Sequence, residues 1–134
     1  MNEIDRIAGN LPVTDQMPLL FVGHGSPMNA IEDNTFSRKW AELGKQLPLP
    51  QAILCISAHW LTSGTFVTAM EKPRTIHDFG GFPPELFRQQ YPAPGSPEMA
   101  EAVIGIQHEN QISKDFDWGL DHGTWSVLKP IFRS

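Results

Sequence analysis

Two short apolar runs, Leu19-Leu20-Phe21-Val22 and Ala52-Ile53-Leu54-Cys55-Ile56, constrain the fold more than any other feature of the chain. Each is bounded by polar sequence rich in Gly, Pro or Ser, the pattern of a strand buried on both faces. Between them, Phe36, Trp40, Leu43 and Leu47 are spaced by four, three and four, which is a helical stripe over residues 34–47. Asp33 or Asn34 suits its N-cap and Pro48 stops it. Strand, helix, strand is a βαβ unit, whose strands are parallel and whose crossover is right-handed. The fold class that follows is α/β, a central mixed sheet flanked by helices.

The remaining chain adds to that frame. Residues 65–70 carry β-branched and aromatic side chains and read as a strand, and residues 111–116 as a shorter one. Residues 84–91 and 97–107 read as helices opened by proline, and residues 124–132 as a helix that Pro130 kinks or ends. Residues 71–84 form a Gly- and Pro-rich loop long enough to suggest a functional role. Residues 1–17 are a polar lead-in with one helical turn at residues 3–8, and residues 18–134 carry the fold.

A chain of 134 residues has room for one domain, and 40% hydrophobic with 19% charged residues is a folding composition. The net charge of −5 argues against nucleic acid or an anionic membrane, because phosphate binding needs clustered Lys and Arg. Cys55, the single cysteine, excludes an intramolecular disulfide and a cysteine-rich zinc site, and inside an apolar run it reads as inert core. The first residues lack the apolar stretch of a secretory signal, and no apolar run is long enough to cross a membrane. A cytoplasmic enzyme or binding domain is expected.

Five histidines carry the chemistry. His24 and His59 each stand just past the end of an apolar run. In open α/β sheets ligands bind outside the carboxyl ends of the strands. Neighbouring parallel strands lie about 4.8 Å apart, and two imidazoles on one metal need nitrogens roughly 3 Å apart. Two histidines in matched places can therefore share a metal; the plainer alternative is that each caps its strand. His122, between Gly119 and Gly123 and near Trp125, stands at a helix entry, where Asp121 could cap the helix or orient an imidazole. The helix N-terminus suits it to acid–base work, with a packing role as the alternative. His77 and Asp78 lie in the long loop with Phe79 and Phe82, as a pocket wall or an exposed turn. His108 reads as a solvated residue at a helix C-terminus. The chain has no P-loop, no G-x-G-x-x-G and no G-x-S-x-G elbow.

Five segments now stand in order: Gly23-His24-Gly25-Ser26-Pro27-Met28-Asn29, Ser57-Ala58-His59-Trp60, Thr75-Ile76-His77-Asp78-Phe79-Gly80-Gly81-Phe82-Pro83, Tyr91-Pro92-Ala93-Pro94-Gly95 and Gly119-Leu120-Asp121-His122-Gly123-Thr124-Trp125. Together they resemble the class III extradiol ring-cleavage dioxygenases, in the branch similar to bacterial and plant 4,5-DOPA dioxygenases. The resemblance implies a non-haem metal site with His24 and His59 as ligands, Fe(II) as the catalytic metal and Zn(II) as an alternative occupant. It implies that His122 contacts the substrate and moves protons. It places His77 and Asp78 at the pocket wall, and Trp60, Phe79, Phe82 and Trp125 are candidate walls for an aromatic ring, with plain core as the alternative for each. The substrates implied are a catechol and O₂, both brought to the metal.

The family's members are about twice this length, and their third metal ligand, another histidine, lies in the part with no counterpart here. The resemblance therefore implies the N-terminal half of a larger domain. Two other functions stay open: a metal-binding fragment without turnover, and a tetrapyrrole metal chelatase. The chelatase also uses a strand followed by G-H-G-S, but has a basic residue where this chain has Pro27 and lacks a counterpart of residues 76–83. A homo-oligomer is compatible with all of these.

Overall fold

The computed structural model describes residues 15–106, 109 and 111–132. The helical turn expected at residues 3–8, and His108, lie outside the described residues. After a 3₁₀ turn at Pro27–Ala30, helix α1 (Thr35–Gln46) forms where the apolar stripe places it. Asn34 accepts from the Ser37 backbone N–H at 3.0 Å while the Ser37 hydroxyl accepts from the Asn34 N–H at 3.0 Å, a reciprocal capping box. Trp40 is buried and Leu43 and Leu47 pack beside it, but Phe36 is 64% exposed, because the packed stripe begins only at Trp40.

Asn34 has a second task. Its amide donates to Asn29 Oδ1 at 2.7 Å, and the Asn29 amide donates to the His24 carbonyl at 3.3 Å. The helix cap thus reaches back to the first histidine. Asn34→Ala should lower stability by about 1 kcal/mol, up to about 2, measured as a shift in the urea midpoint at constant slope.

The strands are β1 (Thr65–Thr68), β2 (Arg74–Thr75), β3 (Ile112–Asp115) and β4 (Gly119–Leu120). β1 runs parallel to β3 with Thr65 opposite Ile112, and β2 parallel to β4 with Arg74 opposite Gly119. The Ala69 N–H donates to the Asp115 carbonyl at 2.8 Å and the Ile76 N–H to the Leu120 carbonyl at 2.7 Å, extending each ladder by one bond. Between the ladders the chain runs through residues 69–73 on one side and residues 116–118 on the other. Unequal lengths cannot stay paired, so the ribbon breaks in two there.

Three more helices complete the set, α2 (Pro84–Phe87), α3 (Pro97–Gly105) and α4 (His122–Ile131). Helix α3 packs on both β1 and β3, and Glu101 pairs with Lys114 across that contact. β1–α3–β3 is therefore a βαβ unit. The architecture is α/β with parallel strands, and the sheet is, among the described residues, two separate two-stranded ladders rather than one mixed sheet.

The two apolar runs behave differently from expectation. Neither residues 19–22 nor residues 52–56 join a ladder among the described residues. Leu19 is 97% exposed, Phe21 102% and Ile56 92%. A run of this kind is buried only when strands flank it and helices cover both faces, and no described segment does so here. The βαβ unit expected between them is not formed by these segments.

Helix α4 holds the core together. Trp125 packs with Ala30 and Leu86, while Val127 and Ile131 pack with Trp40 of α1. It begins at His122, two residues before the expected start, because Asp121 caps it by accepting from the Thr124 N–H. Pro130 lies in its last turn, and the helix ends at the next residue. Among the described residues no helix is long and apolar enough to cross a membrane.

Candidate metal centre

His24 sits in a sharp turn. Gly25 has φ of +62°, a conformation that glycine adopts without strain. The turn presents the Gly25 carbonyl to His24 Nδ1 at 2.8 Å. A carbonyl only accepts, so Nδ1 carries the proton and Nε2 is left as the acceptor nitrogen of the ring. Ser26 caps the 3₁₀ turn that follows, its hydroxyl accepting from the Met28 N–H at 3.2 Å.

His59 reaches the same point from the end of the second apolar run. Its backbone N–H donates to Ser57 Oγ at 3.2 Å. Its Nε2 lies 2.7 Å from His24 Nε2. The two apolar runs thus bring their histidines together without forming a ladder.

His122 closes the group from the first turn of α4. Its ring centroid is 4.1 Å from that of His59 and 5.2 Å from that of His24. Each of the three histidines offers one nitrogen, all within 4.8 Å of one another, so that together they could hold a metal ion. His122 is buried, and its backbone N–H donates to Asp78 Oδ1 at 2.8 Å. The ring Nδ1 lies 2.9 Å from the same oxygen but does not line up with it as a hydrogen bond. Burial alone would push the Asp78 carboxyl up. The hydrogen bond and ring contact from His122 outweigh it and hold the group below the usual carboxylate range. Asp78 is therefore an anion braced against the imidazole.

The other sequence-predicted residues are placed as follows. His77 turns away from the cluster, its Nε2 2.7 Å from the Gln89 carbonyl, and packs on Phe79, Phe87 and Trp125. Phe79 stands edge-on to His122 at 5.6 Å and so borders the cluster itself. Trp60 is half-buried and stacks flat on Trp118 at 5.9 Å. Trp125 is fully buried, its indole N–H donating to the Ile76 carbonyl at 2.8 Å. Its ring has no exposed face, so it supports the site from within the core rather than forming an open wall.

Sequence reasoning missed Ser57, whose partner Asp121 is 64 residues away, and the link from the Asn34 cap through Asn29 to His24. It allowed Asp121 either to cap the helix or to orient an imidazole. Asp121 is the cap, and Asp78 is the carboxylate against His122. The expectation of a core Cys55 is also corrected: the residue is exposed because its run is uncovered, although its sulfur rests on Thr124 Oγ1 at 3.4 Å. Burial of the sulfur pushes the thiol pKa up, so less thiolate forms at neutral pH. Cys55 should react with iodoacetamide at pH 7.5 more slowly than free cysteine, and an equal or faster rate contradicts that placement.

Residues 17–133 match the family model described as the catalytic LigB subunit of aromatic ring-opening dioxygenase. The chain belongs to the LigB family. A relative from Escherichia coli (strain K12), 4,5-DOPA dioxygenase extradiol, is 56% identical over 118 residues, covering 87% of this chain and 44% of that protein. The 4,5-DOPA dioxygenase extradiol of Beta vulgaris is 40% identical over 118 residues, covering 84% of this chain and 44% of its own length. A solved structure, the uncharacterized protein JW3007 from Escherichia coli K12, superposes with a TM-score of 0.61 at 44% identity, covering 80% of this chain and 39% of that one. The chain spans less than half the length of these two relatives. Membership of this family leaves the chelatase alternative without support.

Proposed function

We propose that residues 18–134 form the N-terminal half of an extradiol dioxygenase domain and that the histidine cluster is part of its non-haem metal centre, which opens the ring of a DOPA-like catechol with O₂. The observation that carries this reading is the 2.7 Å approach of His24 Nε2 to His59 Nε2. Ligand nitrogens on one metal with bonds of about 2.0–2.1 Å sit roughly 3 Å apart, so the pair need open only slightly. The donor set fits as well. The Gly25 carbonyl commits Nδ1 of His24 and leaves Nε2 basic, and imidazole suits both iron and zinc. Fe(II) is the metal proposed for turnover and Zn(II) the alternative occupant.

His24 and His59 would hold the ion. Bound Fe(II) would supply Lewis acidity toward the diol and a common site for catechol and O₂. The protein's part is positioning and proton movement. His122 takes a proton from a catechol hydroxyl and returns it to the opened product, with Asp78 steadying the ring through Oδ1. Phe79, edge-on to His122 and backed by His77, is the aromatic wall nearest the cluster, and Trp60 is the second wall proposed for the substrate ring. The names of the relatives support an aromatic diol as substrate.

Loaded with Fe(II) and given L-DOPA or catechol in air, the chain should take up oxygen and form a yellow ring-opened product. Both should vanish in His24→Ala, and oxygen uptake that survives this change contradicts the reading. The share of the relatives left uncovered favours a second reading, a metal-binding segment without turnover. That reading expects one-to-one metal binding with no oxygen uptake.

A further inference from the structure

We infer that Asp121, acting through Ser57, is a positioning residue that fixes the ligand His59 against the start of α4 and so sets both its distance to His122 and its metal affinity; the affinity part rests on the metal-centre reading above. Asp121 is 1% exposed, and both its oxygens are engaged. Oδ1 accepts from the Ser57 hydroxyl at 2.8 Å, the Thr124 N–H at 3.2 Å and the Thr124 hydroxyl at 3.4 Å. Oδ2 accepts from the Trp118 indole N–H at 3.3 Å. The Ser57 oxygen in turn accepts the His59 backbone N–H at 3.2 Å. One buried carboxylate therefore ties the segment carrying His59 to the helix turn that carries His122.

Capping α4 does not require this tie. Thr124 alone supplies the cap donor, whereas Ser57 arrives from 64 residues earlier. The tie matters because residues 52–56 join no ladder among the described residues, so no sheet hydrogen bonds locate His59. The contact is also close. A Cβ at Gly123 would lie 2.6 Å from His59 Cδ2 and 3.0 Å from Ser57 Oγ. The imidazole rests directly on the start of α4, and a shift of Ser57 moves the ring against its neighbours.

Ser57→Ala removes the tie and leaves the Thr124 cap in place. In the metal-free chain it should weaken the nuclear Overhauser contacts of the His59 ring with Gly123 and His122, while far-UV circular dichroism stays unchanged. Zn(II) affinity, read by competition with a chelator, should fall about 10- to 100-fold, the usual effect of losing an outer-shell partner of a metal ligand. Ser57→Thr, which keeps the hydroxyl, should restore both signals. Unchanged ring contacts and wild-type Zn(II) affinity in Ser57→Ala would overturn the inference and leave Asp121 as a cap alone. If the wild-type chain takes up no Zn(II), the metal-centre reading fails, and the ring contacts still decide the positioning.

Discussion

A His59→Ala chain should bind Zn(II) or Fe(II) at least about 100-fold more weakly than wild type, beyond the loss that outer-shell partners produce. The ring it removes has its Nε2 2.7 Å from His24 Nε2 and packs against both His24 and His122. Without it the two remaining imidazoles are 5.2 Å apart at their centroids and share one fewer donor. The fold should change little, because His59 is half-buried and belongs to neither buried core cluster. His77→Ala is the matched control. That histidine bonds the Gln89 carbonyl among aromatic rings, so its loss should leave metal affinity unchanged. Titration calorimetry on the two variants separates a specific cluster from general imidazole binding.

Trp125→Ala should have the largest effect on stability. Deleting a buried tryptophan costs about 3–5 kcal/mol. The Ile76 carbonyl also loses its indole partner, and an unsatisfied buried acceptor costs about 1–3 kcal/mol, partly the same energy. Domains are stable by only about 5–15 kcal/mol in all, so the variant should be largely unfolded or lack a cooperative urea transition. Trp125→Phe should be milder, since it keeps most of the contact with Ala30 and Leu86. The effect reaches the site as well. Ile76 lies two residues before Asp78, whose oxygen holds the first residue of α4. Loosening Trp125 should loosen Asp78 and His122 together.

Much of this was legible in the sequence wherever the signal is local. The Asn34 cap, the stop at Pro48 and the proline-opened α3 follow from neighbours within one turn. The histidines were legible because glycine, proline and serine punctuate the chain around them. Burial was not legible. Residues 19–22 and 52–56 are apolar enough to be buried strands, but a run cannot encode whether another segment covers it. β2 and β4 are two residues long, too short for any alternation to show, and fall where the composition reads as loop. The choice of Asp78 rather than Asp121 as the carboxylate beside His122 turns on a contact spanning 44 residues. The motif makes Trp125 a candidate wall but does not tell which way its ring faces. On a helix, residues three apart share a face, and His122 and Trp125 do so with the tryptophan on the core side.

The most direct test of the metal centre is a Zn(II) titration of the chain followed by the imidazole resonances of its histidines. One equivalent should shift or broaden the ring signals of His24, His59 and His122 together, saturate at a one-to-one ratio and leave His77 unmoved. Saturation that leaves those three rings unperturbed, or that reports first on His77, would contradict a metal centre at this cluster.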